Sequence, residues 1–312
     1  MELIRGQADL PRRHRGCAVT IGTYDGLHLG HQALLARLRS HAQRLAEPAV
    51  LLTFEPMPRE FLAPEDPPAR LTTFRERWRI LSDAGPDYLW LLRFGEALRN
   101  LSAEDFAQFL IRRLRPSVVV VGHDFRFARK GEATPAVLAA AGARLGFAVE
   151  VVPDVALAGE RISSRGVRAA LADGDLARAE RWLGRPYSMR GRVIGGLRLG
   201  RDLGFPTANL ALGRRRAPVA GIFAVQVRGV ANQALPGVAS LGTRPTVGGG
   251  EALLEAHVFD FSGDLYGREI EVEFAAKLRD EQRFATLEAL TAQMQRDAAD
   301  ARRILSCARG TV

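Results

Sequence analysis

Cysteine and lysine are nearly missing from this chain. Cys17 and Cys307 stand at opposite ends of 312 residues, which excludes a disulfide framework and any metal site built on cysteine spacing. Lys130 and Lys277 are the only lysines and no GxxxxGK[ST] run occurs, so a P-loop nucleotide site is excluded as well. No stretch is apolar over the length of a membrane span, and the opening residues MELIRGQADLPRRHRG lack the apolar segment of a signal peptide. These absences lead to the expectation of a cytoplasmic protein. What remains is ordinary for a soluble chain, 47% hydrophobic and 25% charged, and long enough for two domains with cores of their own. The net charge of +9 comes almost wholly from arginine. That excess fits a protein that handles polyphosphates, one that binds nucleic acid, or a compositional bias with no binding role.

The first half alternates strands with helices. Apolar runs at Cys17–Ile21, Val50–Phe54, Tyr88–Leu92, Ser117–Val121 and Phe147–Val152 read as strands. Between them lie helical patterns over Gln32–Arg39, Phe74–Ala84, a segment capped by Ser102 that runs to about Leu114, and one opened by Thr134-Pro135. Continuous β-branched strands in such alternation predict a parallel sheet covered on both faces, with ligands at the carboxyl ends of the strands. Near Trp182–Tyr187 the helical pattern stops. Short runs at Ser188–Ile194, Ile222–Val227, Gly237–Leu241, Leu253–Phe261 and Glu269–Phe274 follow, separated by Gly- and Pro-rich turns, and predict a small antiparallel barrel. A last helix, with Leu287, Leu290, Met294, Ala298, Ala301 and Leu305 on one face, is expected to pack on its side. The fold class is therefore α/β with a second, all-β domain, divided as residues 1–186 and 187–312.

Gly22–His31, GTYDGLHLGH, follows the first long strand and leads into a helix. Gly22, Gly26 and Gly30 let backbone approach a ligand, and a helix start presents free amides with about half a positive charge, so the turn is a candidate phosphate seat. His28 and His31, three apart, can address one phosphate; they are also compatible with solvated polar residues at a helix start. Three further stretches fall at strand ends: Phe54–Phe61 (FEPMPREF), Gly122–Phe127 (GHDFRF) and Ile162–Arg168 (ISSRGVR). The first two could be turn chemistry alone. In the third, Ser163 and Ser164 are either helix caps or, with the helix amides and Arg168, a second anion site.

In the second half the distinctive run is Gly195–Asn209, GGLRLGRDLGFPTAN. Gly200, Gly204 and Pro206 constrain the loop, and Thr207 and Asn209 face the same way if the segment is extended. A hydroxyl and an amide carbonyl are hard oxygen donors suited to Mg²⁺ shared with nucleotide phosphates. Glu255 alternates onto one side of its strand with His257, Phe259 and Phe261, a carboxylate among aromatics, where desolvation would raise its pKa as a general base requires; the plainer reading is a rim glutamate in solvent. Arg214–Arg216 reads as a solvated loop, with a nucleotide contact as the alternative.

These motifs carry a resemblance at both ends. GTYDGLHLGH resembles the HxGH signature of nucleotidyltransferases, and with the FxPxP, GxDFRF and ISS segments it is similar to the flavin-specific branch, with a Rossmann-like domain that joins FMN and ATP into FAD. The resemblance implies that His28, His31, Ser164 and Arg168 hold the ATP phosphates, that Gly22, Tyr24, Asp25, Gly26 and Ser163 belong to the nucleotide site, and that Asp124 lies near nucleotide or flavin. The sequence departs from that pattern at Arg165, where the family has threonine, and in a shortened loop, Ala128–Gly131. From about residue 187 to 305, GRDLGFPTANL, GIFAV, GTRPT, LEAHVFDF and DLYG resemble riboflavin kinases. There the resemblance implies that Thr207 and Asn209 bind Mg²⁺-ATP, that Gly200, Arg201, Gly204 and Pro206 form the nucleotide loop, and that Glu255 activates the 5′-hydroxyl of riboflavin. The expected whole is a bifunctional enzyme that uses ATP and Mg²⁺ to turn riboflavin into FMN and FMN into FAD. Its expected partners are small molecules, with no nucleic acid or membrane and at most transient self-association. The alternative is an RNA-binding protein with a degenerate nucleotidyltransferase domain, against which the second half shows no interleaving of aromatic and basic residues.

Overall fold

A computed structural model of the chain describes residues 1–6, 10, 11, 14, 16–131, 133–195, 204–243 and 252–307. It divides into two compact units, Met1–Pro68 with Arg77–Ser163, and Ala69–Glu76 with Ser164–Val312.

The first unit is built on a six-stranded sheet of β1 (Glu2–Arg5), β2 (Cys17–Ile21), β3 (Ala49–Phe54), β4 (Tyr88–Leu92), β5 (Pro116–Gly122) and β6 (Ala148–Val152). Every neighbouring pair is parallel, in the order β1-β4-β3-β2-β5-β6. All residues of β2 and β3 are buried, which is why both read as unbroken apolar runs rather than alternating ones. The helices are α1 (Leu29–Leu45), α2 (Pro58–Leu62), α3 (Phe74–Ala84), α4 (Glu96–Arg99), α5 (Ala103–Leu114) and α6 (Pro135–Leu145); the division between units passes through α3. Val19, Ile21, Val50, Leu52, Val119 and Val121 share a core with Phe106 and Leu110 of α5 and Leu138 of α6. The alternate positions, among them Ala18, Leu51 and Val120, are as deeply buried, and α1 packs on β2, β3 and β5. Ser102 caps α5 by accepting from the Asp105 amide, as its sequence pattern predicts. The edge strand β1 was not expected, because four residues with two apolar side chains carry no periodic signal. From β2 the chain steps through β3 to β4 on one side, then crosses to β5 and β6 on the other, so the carboxyl end of β2 lies at the topological switch point. A short hairpin, β7 (Ala156–Leu157) and β8 (Glu160–Arg161), closes this unit.

The second unit holds α7 (Ser164–Ala172), α8 (Leu176–Leu183) and a closed antiparallel barrel. The barrel strands are β9 (Ser188–Ile194), β10 (Ala208–Ala211), β11 (Gly221–Arg228), β12 (Leu235–Thr243), β13 (Ala252–Val258) and β14 (Glu269–Arg279), in the spatial order β10-β13-β12-β11-β14-β9. Met189, Leu210, Phe223, Val225, Leu254, Ile270 and Val272 fill it. The last helix, α9 (Leu287–Cys307), lays Ala301 and Leu305 against Ala224 and Phe259 on the outside.

Three expectations change here. The strand from Leu253 ends at Val258, because Asp260 takes a left-handed φ of 56°, so the alternation that placed Phe259 and Phe261 beside Glu255 is broken after His257. Leu287 is exposed rather than packed, and the buried part of α9 is its carboxyl half. Arg214 is not in solvent. Its side chain is fully buried, Nη2 donating to both oxygens of Glu76 at 2.7 and 2.6 Å and Nη1 to the Tyr187 hydroxyl and the Arg70 and Leu71 carbonyls, while Arg215 and Arg216 remain exposed. Glu76 also accepts from the amides of Thr73 and Arg190, so a segment distant in sequence supplies the counter-ion for a barrel arginine. Among the described residues no helix is long and apolar enough to cross a membrane.

Candidate active sites

The first candidate is the turn that leaves β2. His28 is the N-cap of α1, its Nδ1 accepting from the His31 amide at 3.3 Å, so a neutral His28 carries its proton on Nε2. The two imidazoles stack with centroids 3.7 Å apart, and the ring of Tyr24 lies 4.9 Å from His31. Tyr24 is fully buried beneath the turn. Thr20 donates its hydroxyl proton to the Val120 carbonyl, which leaves its oxygen to accept from the Tyr24 hydroxyl; burial pushes that hydroxyl's pKa above its ordinary range. The turn is thus pegged to the middle of the sheet. Its backbone is constrained, with left-handed φ at Tyr24 (52°), Gly26 (84°) and Leu27 (46°), two of them at bulky residues that adopt this region at a cost. The glycines make room for rings: a Cβ on Gly22 would sit 3.1 Å from the Tyr24 ring, and one on Gly30 3.1 Å from the His28 ring. Asp25 is buried beside them.

Ser163 ends the same unit, and the Ile162 carbonyl lies 3.8 Å from where a Gly30 Cβ would be. Asp124 is held by Arg161 at 2.5 Å, and Arg161 also bridges to Asp154, which in turn meets His123. Ser164 and Arg168 belong to the second unit, where Ser164 opens α7 and Arg168 Nε donates to the Ala69 carbonyl at 2.6 Å.

The second candidate is a cleft of about 580 Å³ on the barrel, lined by Val193, Pro206, Thr207, Asn209, Asp264 and Tyr266 among others. Gly204, at φ 83°, turns the chain into it. Asn209 stands directly across from Glu255 in the β10–β13 pairing. Their neighbours Leu210 and Leu254 point into the barrel, so both polar side chains project on its outer face, with Cβ atoms about 5 Å apart as in any direct cross-strand pair. Asn209 is 7% exposed, yet its Oδ1 has no hydrogen-bond partner among the described residues. A buried carbonyl oxygen left without a donor fits a cation, and beside the Thr207 hydroxyl it makes a hard-oxygen pair. His257, on the same face as Glu255, donates from Nδ1 to the Pro206 carbonyl at 2.8 Å and fixes the turn before Thr207. Gly200 and Arg201, expected to line the nucleotide loop, lie outside the described residues.

A family model described as FAD synthetase matches residues 10–166, and one described as riboflavin kinase matches residues 183–305. Proteins named bifunctional riboflavin kinase/FMN adenylyltransferase from Escherichia coli (strain K12) and Pseudomonas fluorescens are 45% and 48% identical to the chain over 304 residues, 97% of it and 97% of each relative. The chain belongs to the bifunctional riboflavin kinase/FMN adenylyltransferase family. A crystal structure described as a macrolide-efflux protein from Streptococcus pneumoniae has the same fold, with a TM-score of 0.81 and 31% identity over 95% of this chain and 97% of that one. In this member of the riboflavin kinase/FMN adenylyltransferase family, sequence reasoning passed over Arg161, Glu55 and Arg77. A signal for Arg77 existed: it falls on the apolar stripe of α3 with Phe74, Trp78 and Leu81, an unusual place for a charge.

Proposed function

We propose the following division of work for this bifunctional enzyme, a riboflavin kinase and FMN adenylyltransferase: residues 1–186 carry adenylylation of FMN and residues 187–312 carry phosphorylation of riboflavin. In the kinase step Glu255 takes the proton of the riboflavin 5′-hydroxyl as that oxygen attacks the γ phosphorus of ATP, and ADP departs. Thr207 and Asn209 would hold Mg²⁺, which neutralises charge on the ATP phosphates. The observation that carries this reading is the orphaned Oδ1 of Asn209 opposite Glu255, one polar atom suited to a cation beside one suited to a proton. Gly204 and Pro206 bound the nucleotide loop, with Gly200 and Arg201 assigned to it from sequence.

In the adenylylation step a phosphate oxygen of FMN attacks the α phosphorus of ATP and pyrophosphate leaves. That nucleophile is already an anion, so no carboxylate base is needed. The turn then has to bind and orient negative charge: His28 and His31 donate to the phosphates, the first amides of α1 face them, and Gly22, Tyr24, Asp25 and Gly26 fix the shape of the seat. Ser163, Ser164 and Arg168 are assigned to the same triphosphate and Asp124 to the nucleotide or flavin. The reading supposes a cytoplasmic enzyme acting on free small molecules. Incubation with riboflavin, ATP and Mg²⁺ should give FMN and then FAD. Absence of both products defeats it; FMN alone restricts the defect to the half that carries Arg165 and the short Ala128–Gly131 loop.

A further inference from the structure

The turn from Gly22 to His31 has an unexplained support. Arg77 on α3 is 1% exposed, and a guanidinium that deep is tolerated only with partners. Two of its donors go to loops rather than to the helix. Nη1 donates to the carbonyl of Thr23 at 2.7 Å, and Nη2 to the Glu55 carboxylate at 2.8 Å. Thr23 follows Gly22 and precedes Tyr24, whose φ of 52° is among the strained angles of the turn. Glu55 is the first residue after β3, in the second loop that the sequence marked, and its own amide is tied to the Leu92 carbonyl of β4. Thr53, itself buried, adds a weaker donor to the same Thr23 carbonyl at 3.4 Å. One rigid fork thus joins the loops that leave two adjacent parallel strands. A backbone held in left-handed angles at Tyr24 and Leu27 persists only if its surroundings over-determine it, and Arg77 supplies a fixed point at the entry of that turn.

We propose that Arg77 is a positioning residue for FMN adenylylation: by clamping the Thr23 carbonyl to the Glu55 carboxylate it holds the Gly22–His31 turn, and through it His28 and His31, in register with the ATP phosphates. The proposal rests on the reading of that turn as the phosphate seat. Lysine at this position keeps the charge but replaces a planar two-armed donor by a point that cannot span both acceptors in the same geometry. A displacement of about 1 Å in a site that works by orientation costs up to about 10²-fold in rate.

The test uses the full chain, whose riboflavin kinase reaction reports that the variant protein is folded. Arg77→Lys should lower kcat for FAD formation from added FMN by about 10- to 100-fold, change KM for FMN by less than about threefold, and leave FMN formation from riboflavin at the wild-type rate. Because Arg77 acts through the turn, its effect should shrink when His31 is already alanine, a non-additive cycle. Wild-type adenylylation by Arg77→Lys, or full additivity with His31→Ala, overturns the proposal. If Arg77→Lys loses both activities, Glu55→Gln decides. A selective fall in adenylylation that is again non-additive with His31→Ala supports the clamp, and wild-type kinetics defeats it. Should His31→Ala alone leave adenylylation intact, the phosphate-seat reading fails and takes this one with it; if His31→Ala is inactive while Arg77→Lys and Glu55→Gln are normal, only the clamp is wrong.

Discussion

The β2 turn and the barrel cleft are both proposed to address a nucleoside triphosphate, and they differ in their parts. The turn offers imidazoles and backbone amides, with Asp25 buried beside them, whereas on the barrel the strand pairing sets Glu255 directly across from Asn209 of the cleft. The nucleophiles account for the contrast. A phosphate oxygen arrives deprotonated and needs only positive charge and alignment, while a hydroxyl must lose a proton as it attacks. The supports differ as well. The turn is braced by Tyr24 against Thr20 of β2 and by Arg77 of α3 on Thr23. The cleft depends on register around a closed barrel, in a unit that also buries the pair of Arg214 with Glu76.

The largest effect should come from Glu255→Gln, which keeps shape and removes the proposed base. FMN formation should fall by about 10²–10⁴-fold, with FAD formation from supplied FMN unchanged; equal loss of both would erase the contrast between the two sites. Next, Glu76→Gln leaves Arg214 buried without its counter-ion and should cost roughly 3–5 kcal/mol, read by urea unfolding of the full chain. A value below about 1 kcal/mol would mean that the barrel does not lean on this pair. His31→Ala should reverse the pattern of Glu255→Gln, lowering adenylylation by about 10²-fold and sparing the kinase. Asn209→Leu should raise the Mg²⁺ concentration for half-maximal kinase rate by about tenfold without altering the Mg²⁺ dependence of adenylylation. The smallest effect concerns the exposed Asp260–Arg302 pair. The Arg302 guanidinium holds the Asp260 carboxyl below its ordinary range, so the group binds its proton less readily when folded than when unfolded. The small stability this confers is present at neutral pH and disappears as pH falls through the depressed folded value. The melting difference between wild type and Arg302→Met should therefore be slight at pH 7 and vanish in acid, and a difference that grows on acidification would contradict the assignment.

The strands β2 to β5, the helices α1, α3 and α5 between them and the turn after β2 were legible because their signals are local. An apolar run, glycines at the turn and a cap residue act within a dozen residues of one another. The barrel strands were legible as strands but not in their ends, since Asp260 adopts a left-handed angle that no hydrophobic alternation announces. Thr207, Asn209 and Glu255 stood out by residue type in a marked context. Arg214 was misjudged because three consecutive arginines look like a solvated loop, and its partner Glu76 lies more than a hundred residues earlier. Arg77 was passed over among the alternating charges of Phe74–Leu81, although its place on the apolar stripe could have singled it out.

Local sequence was enough to set the order of a parallel α/β half and an antiparallel β half, to mark the glycine-histidine turn at the end of β2, and to single out the side chains proposed to bind phosphate or accept a proton. These follow from periodicity, turn chemistry and functional groups, all properties of short stretches. Tertiary structure alone decided that Asn209 faces Glu255, that Arg77 joins Thr23 to Glu55, and that Glu76 neutralises Arg214. Strand register and the pairing of buried charges are set by how distant segments exclude water together, and no short stretch contains that information.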